Sequence, residues 1–454
     1  MSMNLKKLSS YLKMRSLVFV ALMCAASLAA AWNDHALGTW QALAQLPAID
    51  GAPPVAVERL ESFLSAEDKA LEELLEQEEQ WARRNVSVYP PRPAALKFKA
   101  GGTPAELRRR FVAALRINPD CKLPLFLQTR PGTQLPRESS LPWTEVTTLR
   151  RETTAKETQF LRLHEGEQVA VLDVVASASD EPDYGLDIGL WQDNQTPYGH
   201  VYGFGKQPFG DPALEISTQV PFHMGFFHES EIIYKAAGFL RRTYPEYRIH
   251  LFKSLAAFAL RTGHPYWGWR FAGWALHYVQ DLTQPYHASV LPGVSVQRML
   301  WINTLNLLGF HSQKEQAVRF VSNRHLALEN YQYHRMKNAY LRKDPEDALL
   351  RAVRNRSADA GQADYLDSSV RQIVSKQAYE LGERTDQTIE RTLPGKYISE
   401  PTYVFEQTEP DIDLFAMLGR APRSMQDGMT DMVSTLMEHF GTQSRVFIAS
   451  LLKP

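Results

Sequence analysis

Along most of the chain, apolar positions recur every three to four residues, the period of one helix face. Leu37, Trp40, Leu43 and Leu46 form such a stripe over 35–46. Over 55–83, Leu60, Phe63, Leu71, Leu74 and Leu75 stand opposite a heavily acidic side, which predicts an amphipathic helix with one solvated face. A helical or buried pattern returns over 168–177 and ends in the acidic run Asp180, Glu181, Pro182, Asp183. Helical periodicity then runs through about 229–242, 247–262, 266–282, 296–308, 313–341, 362–391 and a final pair across 411–451. Two stretches break the pattern. Residues 86–160 contain Pro90-Pro91, Gly101-Gly102 and Pro131-Gly132, breakers that predict irregular chain around one short helix at about 104–116. Residues 184–222, with Tyr198, Gly199, Tyr202, Gly203, Phe204 and Gly205, predict a long loop over one end of the domain, and ordered loops of that length tend to carry function. The expected fold class is mainly α: a single multi-helix bundle domain spanning 32–454, with a loop-rich insertion at about 50–165.

The first 31 residues read differently. Lys6, Lys7, Lys13 and Arg15 precede an apolar run over 16–30 that ends in Ala29-Ala30-Ala31. The run is shorter than the roughly 20 residues that span a bilayer. It matches a secretory signal peptide over 1–31, cleaved between Ala31 and Trp32. Met23 before Cys24 does not suit a lipoprotein signal. The expected location is secreted or periplasmic.

Removing the leader changes the composition. The whole chain has 50 basic and 51 acidic residues, and the leader holds four basic and no acidic ones, so 32–454 carries a net charge of −5. No polybasic field is available to grip nucleic acid by charge. One cysteine, Cys121, is left, so no internal disulfide can form. An exported chain without one needs another brace, and bound metals could supply it. Ten of the thirteen histidines fall between His200 and His334.

The sharpest motif lies inside that crowd. In Ala275-Leu276-His277-Tyr278-Val279-Gln280-Asp281-Leu282-Thr283-Gln284-Pro285-Tyr286-His287, His277 and Asp281 share one helix face at a spacing of four. Imidazole and carboxylate at that spacing can grip one metal ion. Pro285 breaks the helix and lets His287 turn back toward the same cavity. His325 and Glu329 repeat the spacing downstream. A single pair of this kind is commonly a surface feature; two pairs with a histidine between them point to a metal site. His250, His264, His311 and His334 carry no motif and read as structural.

The set His277-x3-Asp281-x5-His287, then His325-x3-Glu329, with a mature chain starting at Trp32, resembles the zinc-dependent phospholipase C and single-strand-specific nuclease superfamily. That resemblance implies a helical bundle with three zinc ions at one end and an N-terminal tryptophan that chelates one of them through its free amine and carbonyl. It implies that His277 and Asp281 bind the first zinc and that Asp281 bridges to the zinc held by Trp32. His287, His325 and Glu329 would hold another. An early histidine completes the Trp32 site, and His35 is the candidate. The family also draws an aspartate and a histidine from the chain before the central helix. Asp183 is the first choice over Asp187, and would also orient the attacking water. His228 and His223 lie 49 and 54 residues before His277 and rank close together, ahead of His200 at 77. The segment 50–165 is longer than the family pattern and could reshape the cleft.

The expected activity is a secreted, trinuclear-zinc phosphodiester hydrolase, most like phospholipase C, acting on phospholipid head groups with peripheral contact to membrane lipid. The alternatives are a single-strand-specific endonuclease and a non-catalytic, zinc-braced lipid- or surface-binding protein. Trp191, Tyr198, Tyr202, Phe204 and Phe209 are candidate platforms for bases, for lipid tails, or for packing within their own loop. No obligate protein partner is expected.

Overall fold

The computed structural model describes residues 32–150, 153–405, 408–409 and 411–453. The signal peptide expected over 1–31 lies outside these residues. The chain is mainly helical. The helices that matter for the site are α1 (His35–Leu43), α2 (Leu60–Asn85), α3 (Pro104–Leu115), α4 (Val171–Ala178), α5 (Val220–His223), α6 (Pro245–Arg261), α7 (Pro265–Asp281), α8 (Pro285–Ala288), α9 (Val296–Leu307), α10 (Ser312–Leu341), α11 (Ala348–Arg354), α12 (Lys376–Thr392) and α13 (Arg423–Leu451). Among the described residues no helix is long and apolar enough to cross a membrane.

Helix α7 is the axis of the fold. Pro265 stands in its first turn, where a missing N–H costs nothing. Every residue from Tyr266 to Asp281 is buried, as expected of a helix apolar on all sides. It packs against α4, α6 and α13. Gly273 lets α4 come close: a Cβ there would lie 2.5 Å from the Ala178 Cβ and 2.7 Å from the Val175 carbonyl. Gly38 of α1 likewise accommodates the ring of Phe440 on α13.

The irregular stretch contains more order than its composition predicts. Strands β1 (Val55–Ala56), β2 (Phe126–Gln128), β3 (Ser140–Leu141), β4 (Phe160–Arg162) and β5 (Gln168–Val169) form two small antiparallel sheets. Val55 pairs with Val169, and β4 is flanked by β2 and β3 with Phe126 opposite Arg162 and Ser140 opposite Leu161. Strands of two or three residues leave too little alternation for a sequence to show. Helix α2 is the acidic amphipathic helix, kinked at Glu67. His264 bridges Glu58 and Glu67, and His250 lies between Glu78 and Asp367 while stacking on Trp81. These two histidines are structural, as the absence of a motif predicted.

Two buried ion pairs fix the chain that follows α4. Arg270 of α7 holds Glu181 through Nε (2.7 Å) and Nη2 (2.8 Å). Arg248 of α6 holds Asp187 Oδ1 through Nε (3.0 Å) and Nη2 (2.6 Å), and also donates to the carbonyls of Leu115 and Arg116 at the end of α3. Asp183 therefore sits in a short turn clamped at both ends.

Candidate metal centre

Helices α1, α5, α8 and α10 and the turn that holds Asp183 bring side chains to the C-terminal end of α7. His277 and Asp281 project from its last turn, both fully buried. The helix stops at Asp281, Pro285 opens α8, and His287 turns back so that its Nδ1 meets the carbonyl of His223 at 3.0 Å. His223 ends α5. Helix α10 adds His325 and Glu329, and α1 adds His35 at its first position.

Three groups among the described residues bring ligand atoms close enough to share a metal ion: His35, His277 and Asp281; Asp183, His223 and His277; and His287, His325 and Glu329. Asp281 reaches both of the first two. Its Oδ1 lies 3.3 Å from His35 Nε2, and its Oδ2 lies 2.9 Å from His223 Nδ1 and 3.4 Å from His277 Nε2. Asp183 Oδ1 is 3.8 Å from both His223 Nδ1 and His277 Nε2. In the third group His325 Nε2 stands 2.6 Å from Glu329 Oε1 and 3.1 Å from His287 Nε2.

The surrounding hydrogen bonds decide which ring nitrogen each histidine offers. His277 Nδ1 donates to the Ser179 carbonyl at 2.7 Å, and His287 Nδ1 donates to the His223 carbonyl. A carbonyl can only accept, so both rings keep a bare Nε2. Gln280 fixes His35 in the same way. Its Nε2 donates to Thr39 Oγ1 (2.8 Å) and Ser444 Oγ (3.0 Å), which leaves Oε1 to accept from His35 Nδ1 at 2.8 Å. Bare nitrogens thus face carboxylates and one another. His35 Nε2 and Asp281 Oδ1 are both buried, 3.3 Å apart, and have only each other within reach. Acceptors that converge on acceptors call for a cation between them, and backbone carbonyls behind ligating imidazoles are the usual support of a metal site. The donor set of imidazole nitrogens and carboxylate oxygens fits zinc.

The electrostatics divide the rings: burial opposes a charge on His35, but the hydrogen bond and charge of Asp281 outweigh it and raise its pKa above the usual histidine range. Burial pushes His277 and His325 well below the usual histidine range and His287 down to about 4, so these rings are neutral at pH 7, the form that can bind a metal. Burial also opposes a charge on His223, but hydrogen bonds to Asp187 and Asp281 outweigh it and hold its pKa up to about 10. Asp281 stays well below the carboxylate range, because His277, His223 and His35 outweigh the cost of its burial. Burial raises Asp183 to about 6 against the pull of His223 and His35. The pocket is built for positive charge, which a proton or a metal ion can provide.

The alternatives left open by the sequence separate cleanly. Asp183 belongs to a metal-competent group and keeps 17% of its side chain exposed. Asp187 is fully buried and engaged by Arg248 and by the Tyr278 hydroxyl at 2.6 Å, and supports His223 from behind. His223 is the histidine brought to the cluster. His228, put forward beside it as a ligand, bonds instead to Ser375 Oγ at 2.9 Å and packs on Tyr379, because the chain turns away after Met224. His200 is exposed on its loop. Trp191, Tyr202, Phe204 and Phe209 are buried, and Tyr198 is half-buried with its hydroxyl on the Ile188 carbonyl, so these aromatics pack the loop. The Trp32 indole is buried and donates to Thr283 Oγ1 at 3.0 Å, just beyond Asp281.

Several supporting groups escaped the sequence. Gln284 donates to Glu329 at 2.7 Å and Gln219 to Asp183 at 3.1 Å, each with a buried amide oxygen left unpartnered. Gln280 and Gln284 lie inside the motif, so their positions were a signal; Gln219 stands alone in a loop and gave none. No protein-family model, curated protein or solved structure matches the chain.

Proposed function

We propose that this protein is a secreted, zinc-dependent phosphodiesterase of the phospholipase C type, cleaving the head group of a phospholipid. The observation that carries the reading is the convergence of three His/Asp/Glu groups whose hydrogen bonds leave bare nitrogens facing carboxylates. His277 and Asp281, with Asp183 and His223, would hold one zinc; His287, His325 and Glu329 a second; and His35 with Asp281 and the amine of a processed Trp32 a third.

Bound zinc supplies Lewis acidity toward phosphate oxygens and lowers the pKa of water to about 7. The chain's own residues do the rest. Asp183, held by Gln219 Nε2 and with 17% of its side chain exposed, is the least buried of the carboxylates in the three groups and would orient a water and take its proton at a carboxylate oxygen. Arg248 and Arg270 keep the Asp183 turn from moving. Burial of the remaining ligands excludes competing water.

The burial of the loop aromatics removes them as platforms for bases and for lipid tails alike, and the net charge of −5 over 32–454 is what favours a lipid over a long nucleic acid. The test compares phosphatidylcholine with single-stranded DNA at equal zinc. Hydrolysis of the lipid supports the reading, and cleavage of DNA alone refutes the lipid assignment. Asp281→Asn should remove two metals together and abolish hydrolysis; a variant with full metal content and activity would show the assignment to be wrong.

A further inference from the structure

Beside His325 the structure contains an apolar pocket that the metal chemistry does not use. Phe209, Met224, Phe226, Leu291, Ile302 and Val321 line it, and Tyr286 and His325 stand at its inner side. Its interior is narrow, with a cavity volume of about 50 Å³, and it opens to solvent at its mouth. Many of these residues belong to a small apolar cluster of their own, separate from the main core, that also takes in Ile233, Leu240 and Met299. Helix α9 contributes buried Ile302 to the wall, and its other inner residue, Met299, is buried in the adjoining cluster.

The outer side of the same helix is unusual. Trp301 is 54% exposed, Leu308 at its C-cap 68% and Phe310 62%; Ile232, on the helix Glu231–Ala236 that packs against α9, is 49% exposed. Trp301 and Leu308, seven apart, share one face, and Arg298 stands one turn before Trp301 on that face. From 296 to 314 there is no acidic residue, in a mature chain whose net charge is −5. An exposed tryptophan with apolar neighbours and an arginine, on a chain segment free of carboxylates and beside Glu231, which Arg241 neutralises, matches the level of lipid head groups: ring and aliphatic side chains enter the acyl boundary and the guanidinium meets phosphate.

We propose that α9 and the turn after it seat on a phospholipid surface, and that the pocket behind them receives an aliphatic chain of the lipid whose phosphate reaches the metal centre. The position of the phosphate rests on the hydrolase reading; the surface contact does not. One helix serves both purposes, its outer residues in the membrane interface and its inner residues along the lipid chain.

The test uses the processed, zinc-loaded full chain and sedimentation with vesicles of phosphatidylcholine, with and without phosphatidylglycerol. Wild type should bind both, and more strongly with the anionic lipid. Trp301→Ser combined with Phe310→Ser should weaken partitioning by about tenfold or more, while hydrolysis of soluble bis(p-nitrophenyl) phosphate stays at the wild-type rate. Ala317→Phe, which fills the pocket from α10, should keep vesicle binding and lower the rate on long-chain relative to short-chain phosphatidylcholine by about tenfold. Unchanged partitioning of the double variant overturns the surface, as does a wild-type protein that ignores vesicles but forms dimers which the double variant abolishes. An unchanged chain-length ratio in Ala317→Phe overturns the pocket. Trp301-dependent vesicle binding by a protein that cleaves no phosphodiester supports the surface and removes the hydrolase reading instead.

Discussion

Gly273→Ala sets two known effects against each other and ties the fold to the site. Alanine in a helix interior is favoured over glycine by about 1 kcal/mol. Against this, the new Cβ would lie 2.5 Å from the Ala178 Cβ and 2.7 Å from the Val175 carbonyl oxygen. Neither atom can swing away by a rotamer change, because both belong to or sit directly on the α4 backbone. Ordinary contact requires α4 and α7 to part by roughly 1 Å, and overpacking of this kind costs about 1–3 kcal/mol. The net expectation is a loss of up to about 2 kcal/mol, read as a lower urea midpoint of the metal-free protein. The site should suffer more. Gly273 and His277 lie one turn apart on the face that meets α4, and the Ser179 carbonyl that orients His277 follows α4 directly. Parting the helices stretches that 2.7 Å bond and frees the ring to present the wrong nitrogen. Loss of such support typically lowers metal affinity about 10–100-fold. Competition with a chelator measures it. A variant as stable as wild type, with zinc affinity within about twofold, would refute the claim that α4 packing sets the His277 tautomer.

Other substitutions separate the roles of neighbouring groups. Asp183→Asn should lower zinc content and hydrolysis with little change in stability, whereas Asp187→Asn strands the buried Arg248 and should cost about 3–5 kcal/mol in urea unfolding. His228→Ala should leave metal content unchanged, and His223→Ala should reduce it, both by elemental analysis. Burial raises Glu78 to about 7 from an ordinary 4.5, so the folded state prefers it protonated. Its contribution to stability is therefore intact below pH 4.5 and is lost as pH rises through about 7. Glu78→Gln removes that loss, so the variant should gain on wild type between pH 5 and 8, by up to about 3 kcal/mol in urea titrations at the two pH values.

How much of this was legible in the sequence depended on where each constraint lies. The helical period located α2, α3, α4, α6, α7, α9, α10 and α13 to within a few residues, because each buries a stripe or a whole surface. It failed at α11, whose seven residues are too few to show a period, and it started the 362–391 helix too early, since regular structure begins only at Val370. The two small sheets were invisible because their pairings join residues as far apart as Val55 and Val169. In the site, ligands spaced by four on one helix announced themselves. The choice between His223 and His228 did not, because it turns on a change of chain direction after Met224 that brings only the first ring to Asp281. Asp183 was the first choice over Asp187, but the contact that separates them was hidden, since Arg248, which neutralises Asp187, lies 61 residues away.

The most direct measurement is N-terminal sequencing combined with metal counting on the exported protein. The account predicts a first residue of Trp32 and about three zinc ions per chain, retained through dialysis and lost with stability on chelation. A protein that starts at Trp32, is folded, and holds no metal after incubation with zinc would contradict it.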